Sequence, residues 1–234
     1  MAKTALKIVE TQIPPVTKIT VCRNPKIKTC GAEKIYNGLL EKAEQLNLPV
    51  NIEPAKCGCS VACQEGAFLS FPDLGIFYHK VQEGHIEAVL EETVKQGKIV
   101  FPLLRLNPLQ SIRRDLIWEK ATGCIMTLDS SRCMVEIADY LIKFHYDESC
   151  GKCAPCRLGI QRLADLVEAI RRGKAPGNAV AEMESLISLM KQAPYCSFAG
   201  KVSHIILSIL ANFKDEFEIH IKEKRCSAGV CQIN

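Results

Sequence analysis

Three cysteines, Cys150, Cys153 and Cys156, stand two residues apart within Glu-Ser-Cys-Gly-Lys-Cys-Ala-Pro-Cys-Arg. Spacers this short put three thiolates on one tight loop, where a single metal centre can take them all. A fourth soft ligand must then arrive from elsewhere. Cys196, in Ala-Pro-Tyr-Cys-Ser-Phe-Ala-Gly, is best placed to supply it. Three close thiolates and one remote one form the ligand pattern of a [4Fe-4S] cluster, a group that carries electrons. The soft-ligand alternative is a Cys₄ zinc site. Lys152 and Arg157 sit beside the ligands and would offset the negative charge of a cluster.

Two further groups of thiols stand apart from the first. Cys22, Cys30, Cys59 and Cys63, with Cys57 as a fifth, lie in loops at strand ends and could converge on one centre. A [2Fe-2S] cluster suits four such cysteines, with zinc or free thiols as the alternatives. A thioredoxin-type dithiol does not suit them, because no C-x-x-C opens the first helix. Near the C-terminus, Cys226 and Cys231, with His220 upstream and Cys133 as a partner, form a candidate zinc site of three thiolates and an imidazole; the alternative is a pair of ordinary thiols. Cys124, in Thr-Gly-Cys-Ile-Met, reads as a buried apolar thiol.

Local periodicity names the elements that must position these groups. Residues 19–22 read as a strand, and 32–46 as an amphipathic helix with Ile35, Leu39, Leu40, Ala43 and Leu46 on one face. Residues 50–52 form a short strand. Residues 68–71 and 76–78 flank Pro72-Asp-Leu-Gly75 as a strand pair with turn chemistry between them. A second helix covers 83–96 and stops at Gly97. This βαβββα order predicts an α/β layer of thioredoxin type. Residues 112–120, with the single tryptophan Trp118, read as a short helix in a connection. Helical spacing then dominates: 133–144, a helix opened by Pro155 and stopped by Gly173, 179–192 and 202–221. Four such helices predict a small bundle with the cysteine loops at one end.

Composition narrows the function classes. Thirty Lys and Arg against 26 Asp and Glu give a net charge of only +4, too weak a bias to argue for nucleic acid. No apolar run approaches the ~20 residues of a membrane span, so no membrane insertion is expected. Met-Ala-Lys-Thr-Ala-Leu-Lys lacks the features of an export signal, which points to the cytoplasm. Thirteen clustered cysteines in such a chain favour metal ligation over disulfides. There is no G-x-G-x-x-G, Walker A sequence, H-E-x-x-H, nucleophile elbow or paired-carboxylate motif. His79, His85, His145 and His204 are isolated and read as surface or packing residues.

Glu148-Ser-Cys-Gly-Lys-Cys-Ala-Pro-Cys-Arg157, the distant Cys196, the run from Phe213 to His220 and Lys224-Arg-Cys-Ser-Ala-Gly-Val-Cys231 together resemble one known region. It is the C-terminal part of the NADH-binding flavoprotein subunit of respiratory complex I, shared with relatives in multimeric NAD-linked hydrogenases and formate dehydrogenases. Thr127-Leu-Asp-Ser-Ser-Arg-Cys-Met-Val-Glu-Ile-Ala138 is similar to the segment leading into it. The resemblance implies a [4Fe-4S] cluster on Cys150, Cys153, Cys156 and Cys196. Residues 19–100 separately resemble the thioredoxin-like [2Fe-2S] ferredoxin domain. There Gly58-Cys-Ser-Val-Ala-Cys-Gln-Glu-Gly66 matches the second cysteine pair, which gives Cys59 and Cys63 a ligand role. The first pair departs from that pattern: seven residues separate Cys22 from Cys30, and Cys57 is available as a substitute. In the family a long glycine-rich flavin- and NADH-binding domain joins the two pieces, whereas here only residues 98–124 do. NADH oxidation therefore does not carry over, and no flavin or NADH site is expected.

The expectation is thus an α+β chain: an arm at 1–18, a thioredoxin-like [2Fe-2S] domain at 19–104, a linker at 105–124 and a helical [4Fe-4S] domain at 125–234. It would be a non-catalytic electron-transfer subunit relaying electrons between a partner's flavin and other clusters. Its partners would be a flavin- and NAD(P)-binding subunit and other iron–sulfur subunits of a hydrogenase, formate dehydrogenase or electron-bifurcating transhydrogenase. The rivals are a zinc-stabilised assembly subunit without redox role and, behind it, a stand-alone thiol oxidoreductase.

Overall fold

The computed structural model describes residues 17–23, 31–58, 66–105, 113, 115–119, 124–192 and 194–233. These fall into two compact units. Residues 17–23, 31–55 and 66–105 belong to the first; 56–58 and the described residues from 113 onward belong to the second.

The first unit is built on a four-stranded sheet. Strand β1 (Thr17–Val21) is followed by helix α1 (Ala32–Gln45) and by β2 (Val50–Pro54), which returns parallel to β1 with Ile19 opposite Ile52. Strands β4 (Ala67–Phe71) and β5 (Ile76–Val81) form an antiparallel pair, and the sheet order is β2-β1-β4-β5. A parallel pair of strands joined through a helix, extended on the β1 side by an antiparallel hairpin, is the thioredoxin-like arrangement expected from the residue pattern. The four residues joining β4 to β5 close on Gly75, whose φ of +64° suits a residue without a Cβ. Helix α1 buries Ile35, Leu39 and Ala43. After β5 the chain runs through a 3₁₀ turn (Glu83–His85), an α-helical turn α2 (Ile86–Ala88) and a π-helical stretch (Val89–Lys95), the helix expected at 83–96. Tyr78 is fully buried, and its hydroxyl joins Thr93 Oγ1 at 2.7 Å and accepts the Val100 amide at 2.9 Å, so the strand, the helical segment and its exit share one polar node.

The second unit contains a three-stranded sheet, β3-β7-β6, and four long helices. Strand β3 (Cys57–Gly58) pairs with β7 (Cys124–Thr127), which pairs with β6 (Leu116–Glu119). The short helix expected at 112–120 is corrected here, because Leu116 to Glu119 are extended. Leu116-Ile117-Trp118 fits either period locally, and pairing with Cys124–Thr127 decides for the strand. Helices α3 (Met134–Glu148), α4 (Gln161–Arg171), α5 (Ala179–Gln192) and α6 (Ser197–Lys222) carry one continuous apolar core, with Ile137, Leu163, Met183 and Ile206 at or below 1 % exposure. A π-helical turn, Pro155–Ile160, leads into α4. Helix α6 bends at Phe213, whose φ/ψ of −130°/24° leaves the helical region. No helix of the described residues is long and apolar enough to cross a membrane.

Candidate metal centres

The loop between α3 and α4 carries Cys150, Cys153 and Cys156. Ser149 leaves helical geometry (φ −77°, ψ 141°) and Gly151 takes φ +63°, so the chain turns sharply as the thiol run begins. Pro155 then restarts helical structure where its missing amide costs nothing. The fourth thiol, Cys196, is the N-cap residue of α6, in extended conformation (φ −146°, ψ 177°). The positive N-terminal end of α6 therefore faces whatever negative charge this loop gathers.

The electrostatics place the four thiols in one field. Burial pushes the Cys156 thiol up to about 11, reinforced by Cys153, Cys196 and Cys150. Cys153 moves the other way, because backbone amides of Cys156 and Tyr195 point at its sulfur and favour the thiolate. Cys156 is buried while Cys150 and Cys196 are exposed, so the group opens to solvent on one side. These four sulfurs are not among the described groups whose ligand atoms all approach within 4.8 Å. A single tetrahedral zinc would hold sulfurs about 3.8 Å apart. Four thiolates gathered by one loop and one helix N-terminus are the donor set that a [4Fe-4S] centre takes.

A tighter group lies at the other end of α6. Cys133, His220, Cys226 and Cys231 bring one ligand atom each within 4.8 Å of all the others. Cys133 Sγ is 3.6 Å from His220 Nε2 and 3.6 Å from Cys231 Sγ. Tetrahedral zinc, with bonds of ~2.3 Å to sulfur and ~2.0 Å to nitrogen, separates its ligands by about 3.5–3.8 Å. Cys133 and His220 are each 1 % exposed. His220 Nδ1 lies 2.7 Å from the Glu216 carbonyl; a carbonyl can only accept, so Nδ1 carries the proton and the Nε2 lone pair faces Cys133. Burial pushes Cys133 up to about 11, and burial with its two thiol neighbours raises Cys231 further. Burial also opposes ionisation of Cys226, but amides of Cys231, Val230 and Ala228 turned toward its sulfur outweigh this and bring it down to about 6. A half-formed thiolate nest among thiols that cannot all ionise alone is the environment a soft cation completes. All four residues of the candidate zinc set thus come together.

Of the third group, only Cys22 and the substitute Cys57 fall within the described residues; Cys30, Cys59 and Cys63 lie outside them. Cys22 follows β1 in the first unit, buried, and its Sγ accepts the Phe68 amide at 3.0 Å. Cys57 opens β3 in the second unit, opposite Met126. Cys124 is buried, as expected of an apolar thiol. The isolated histidines are surface or packing groups: exposed His204 meets Trp118 edge-on at 5.8 Å, His145 lies against Phe144 and Phe198 and His79 against Phe68, while His85 Nδ1 accepts the Gln82 amide. Lys56 and Glu216 meet beside the tight group at 2.6 Å. No motif singles them out, and their separation of 160 positions hides the pairing.

Residues 136–220 match the NADH-ubiquinone oxidoreductase-F iron-sulfur binding region. The chain is 34% identical over 110 residues to NADP-reducing hydrogenase subunit HndC of Solidesulfovibrio fructosivorans, covering 47% of this chain and 22% of that protein. It is 31% identical over 102 residues to the F 2 component of the NADH-quinone oxidoreductase of Rhizobium meliloti, covering 44% and 24%. The matched stretch is thus less than a quarter of each relative's length. Among solved structures, the thioredoxin-like [2Fe-2S] ferredoxin from Aquifex aeolicus aligns with a TM-score of 0.32 at 24% identity, over 40% of this chain and 100% of that one. The family match lies within the helical part of the chain, residues 136–220, and includes Cys150, Cys153, Cys156 and Cys196.

Proposed function

We propose that this chain is the iron–sulfur electron-transfer component of a multisubunit NAD(P)-linked oxidoreductase, of hydrogenase, formate dehydrogenase or electron-bifurcating transhydrogenase type, relaying electrons between a partner's flavin and other clusters. The observation that carries the reading is the four-thiol loop Cys150, Cys153, Cys156 and Cys196, open on one side, with its three loop thiols and Cys196 inside the matched iron–sulfur region. A [4Fe-4S] cluster on these thiolates takes up and returns one electron at a time. The chain's own residues tune that site: the N-terminus of α6 and the amides at Cys153 favour negative charge. Lys152 and Arg157, exposed and without an ion pair among the described residues, add positive charge. Beside the loop, Ala154, Pro155, Leu158, Leu186, Leu189 and Met190 line a groove of about 430 Å³, with Leu158 60 % and Leu189 62 % exposed. An apolar groove next to an open redox site is a face that suits the flavin-bearing partner.

The same reading gives zinc to Cys133, His220, Cys226 and Cys231, as a closed structural site, and a [2Fe-2S] cluster to Cys22, Cys30, Cys59 and Cys63, on the sequence resemblance. Anaerobic purification of the full chain, with iron, sulfide and zinc analysis and EPR of the dithionite-reduced protein, tests it. Iron with sulfide and a reducible cluster signal is expected. Zinc without iron would leave the assembly role standing instead.

A further inference from the structure

We infer that Glu216, held by Lys56, is the positioning residue of the Cys133–His220–Cys226–Cys231 group and sets how tightly that group holds a tetrahedral, thiophilic cation. The inference rests on reading the group as a metal site. Glu216 stands one turn before His220 on α6 and reaches both ligand-bearing helices. Its carbonyl accepts the His220 Nδ1–H at 2.7 Å, which fixes the ring tautomer and turns Nε2 toward Cys133. Its carboxylate accepts the amide of Met134, the first residue of α3, at 3.0 Å. That amide follows Cys133 directly, and Cys133, although it is the N-cap residue, makes no side-chain cap of its own. Glu216 therefore holds the first amide of α3, while the Cys133 sulfur, approached by the Glu136 and Val135 amides, faces His220 and Cys231.

Lys56 completes the clamp. Its ammonium pairs with Glu216 Oε1 at 2.6 Å and donates to the carbonyl of Arg132, the residue before Cys133. The backbone on both sides of Cys133 is thus tied to one ion pair. With side chains 16 % and 17 % exposed, the pair is neither a mobile surface bridge nor a dry one. Partners that orient metal ligands in this way typically contribute 10–100-fold in affinity. An ion pair that merely joined β3 to α6 would affect stability and leave metal affinity and ligand field alone.

The test uses the full chain, purified anaerobically, with zinc affinity measured by chelator competition, cobalt(II) spectra of the exchanged site, and circular dichroism to establish folding. Glu216→Ala is expected to weaken zinc binding by about 10–100-fold and to shift the cobalt ligand-field bands. Glu216→Gln, which still accepts the Met134 amide, recovers most of that loss, and Lys56→Met falls between. Wild-type affinity and spectrum in folded Glu216→Ala overturn the positioning role, whatever happens to its melting temperature. Should Glu216→Ala not fold, unchanged affinity in both Glu216→Gln and Lys56→Met overturns it. A wild-type chain with no zinc that is lost on Cys231→Ser overturns the metal site itself, a separate result.

Discussion

The two thiol centres of the helical unit use similar donors in opposite surroundings. At the loop centre, three thiols come from seven consecutive residues and two of its four thiols are exposed. At the tight centre, the donor groups come from three separate stretches, and Cys133 and His220 are almost wholly shielded. A group that exchanges electrons with another protein needs an open edge, whereas a cation that only cross-links needs closure. The loop centre keeps its shape by local sequence and the tight centre by tertiary packing, so the two should fail differently when perturbed.

The largest difference should come from removing one thiol at each. Cys156→Ser is expected to abolish the [4Fe-4S] EPR signal while zinc stays bound, because the serine replaces the buried ligand of the loop. Cys231→Ser should do the reverse, losing the zinc, preserving the signal and raising hydrogen exchange in residues 223–233. Loss of both metals in either variant would show that the centres are coupled.

A smaller effect is expected from Gly58→Ala. The added Cβ would collide with Asn212 Cβ on α6, which costs about 1–3 kcal/mol of stability in a chemical-denaturation series. It should weaken the tight centre more than the loop centre, since β3 follows Lys56 directly. The smallest effect concerns His145, whose pKa burial holds below the usual imidazole value. The unfolded chain then takes the proton first, so this contribution to stability is full above about pH 6.5 and is lost as pH falls through the depressed value. Urea midpoints at pH 7.5 and 5.5 should therefore fall with acid, and less so in His145→Phe.

Much of this was legible in the residues because the informative spacings are short. The C-x-x-C-x-x-C run and the Pro155 and Gly173 helix boundaries are decided within a few positions. The candidate set Cys133, His220, Cys226 and Cys231 could be named from residue types, although its closure depends on α3 and α6 packing together. What stayed hidden is long-range. Leu116-Ile117-Trp118 becomes a strand only because Cys124–Thr127 lies beside it. Cys57-Gly58, which reads as loop, becomes one by pairing with Ile125 and Met126. Glu216 looks like any surface acid on a helix until Lys56 arrives opposite it.

Helix α6 starts just after its N-cap residue Cys196 and carries His220 in its last turn. Twenty-four residues at ~1.5 Å each put roughly 36 Å of helix axis between these two ligands, less what the bend at Phe213 removes. Electron tunnelling fades over a small part of that length. On the proposed reading a cation at the far end would sit off the circuit, and α6 would act as an insulating strut, with its wiring confined to one tip and its weight borne at the other.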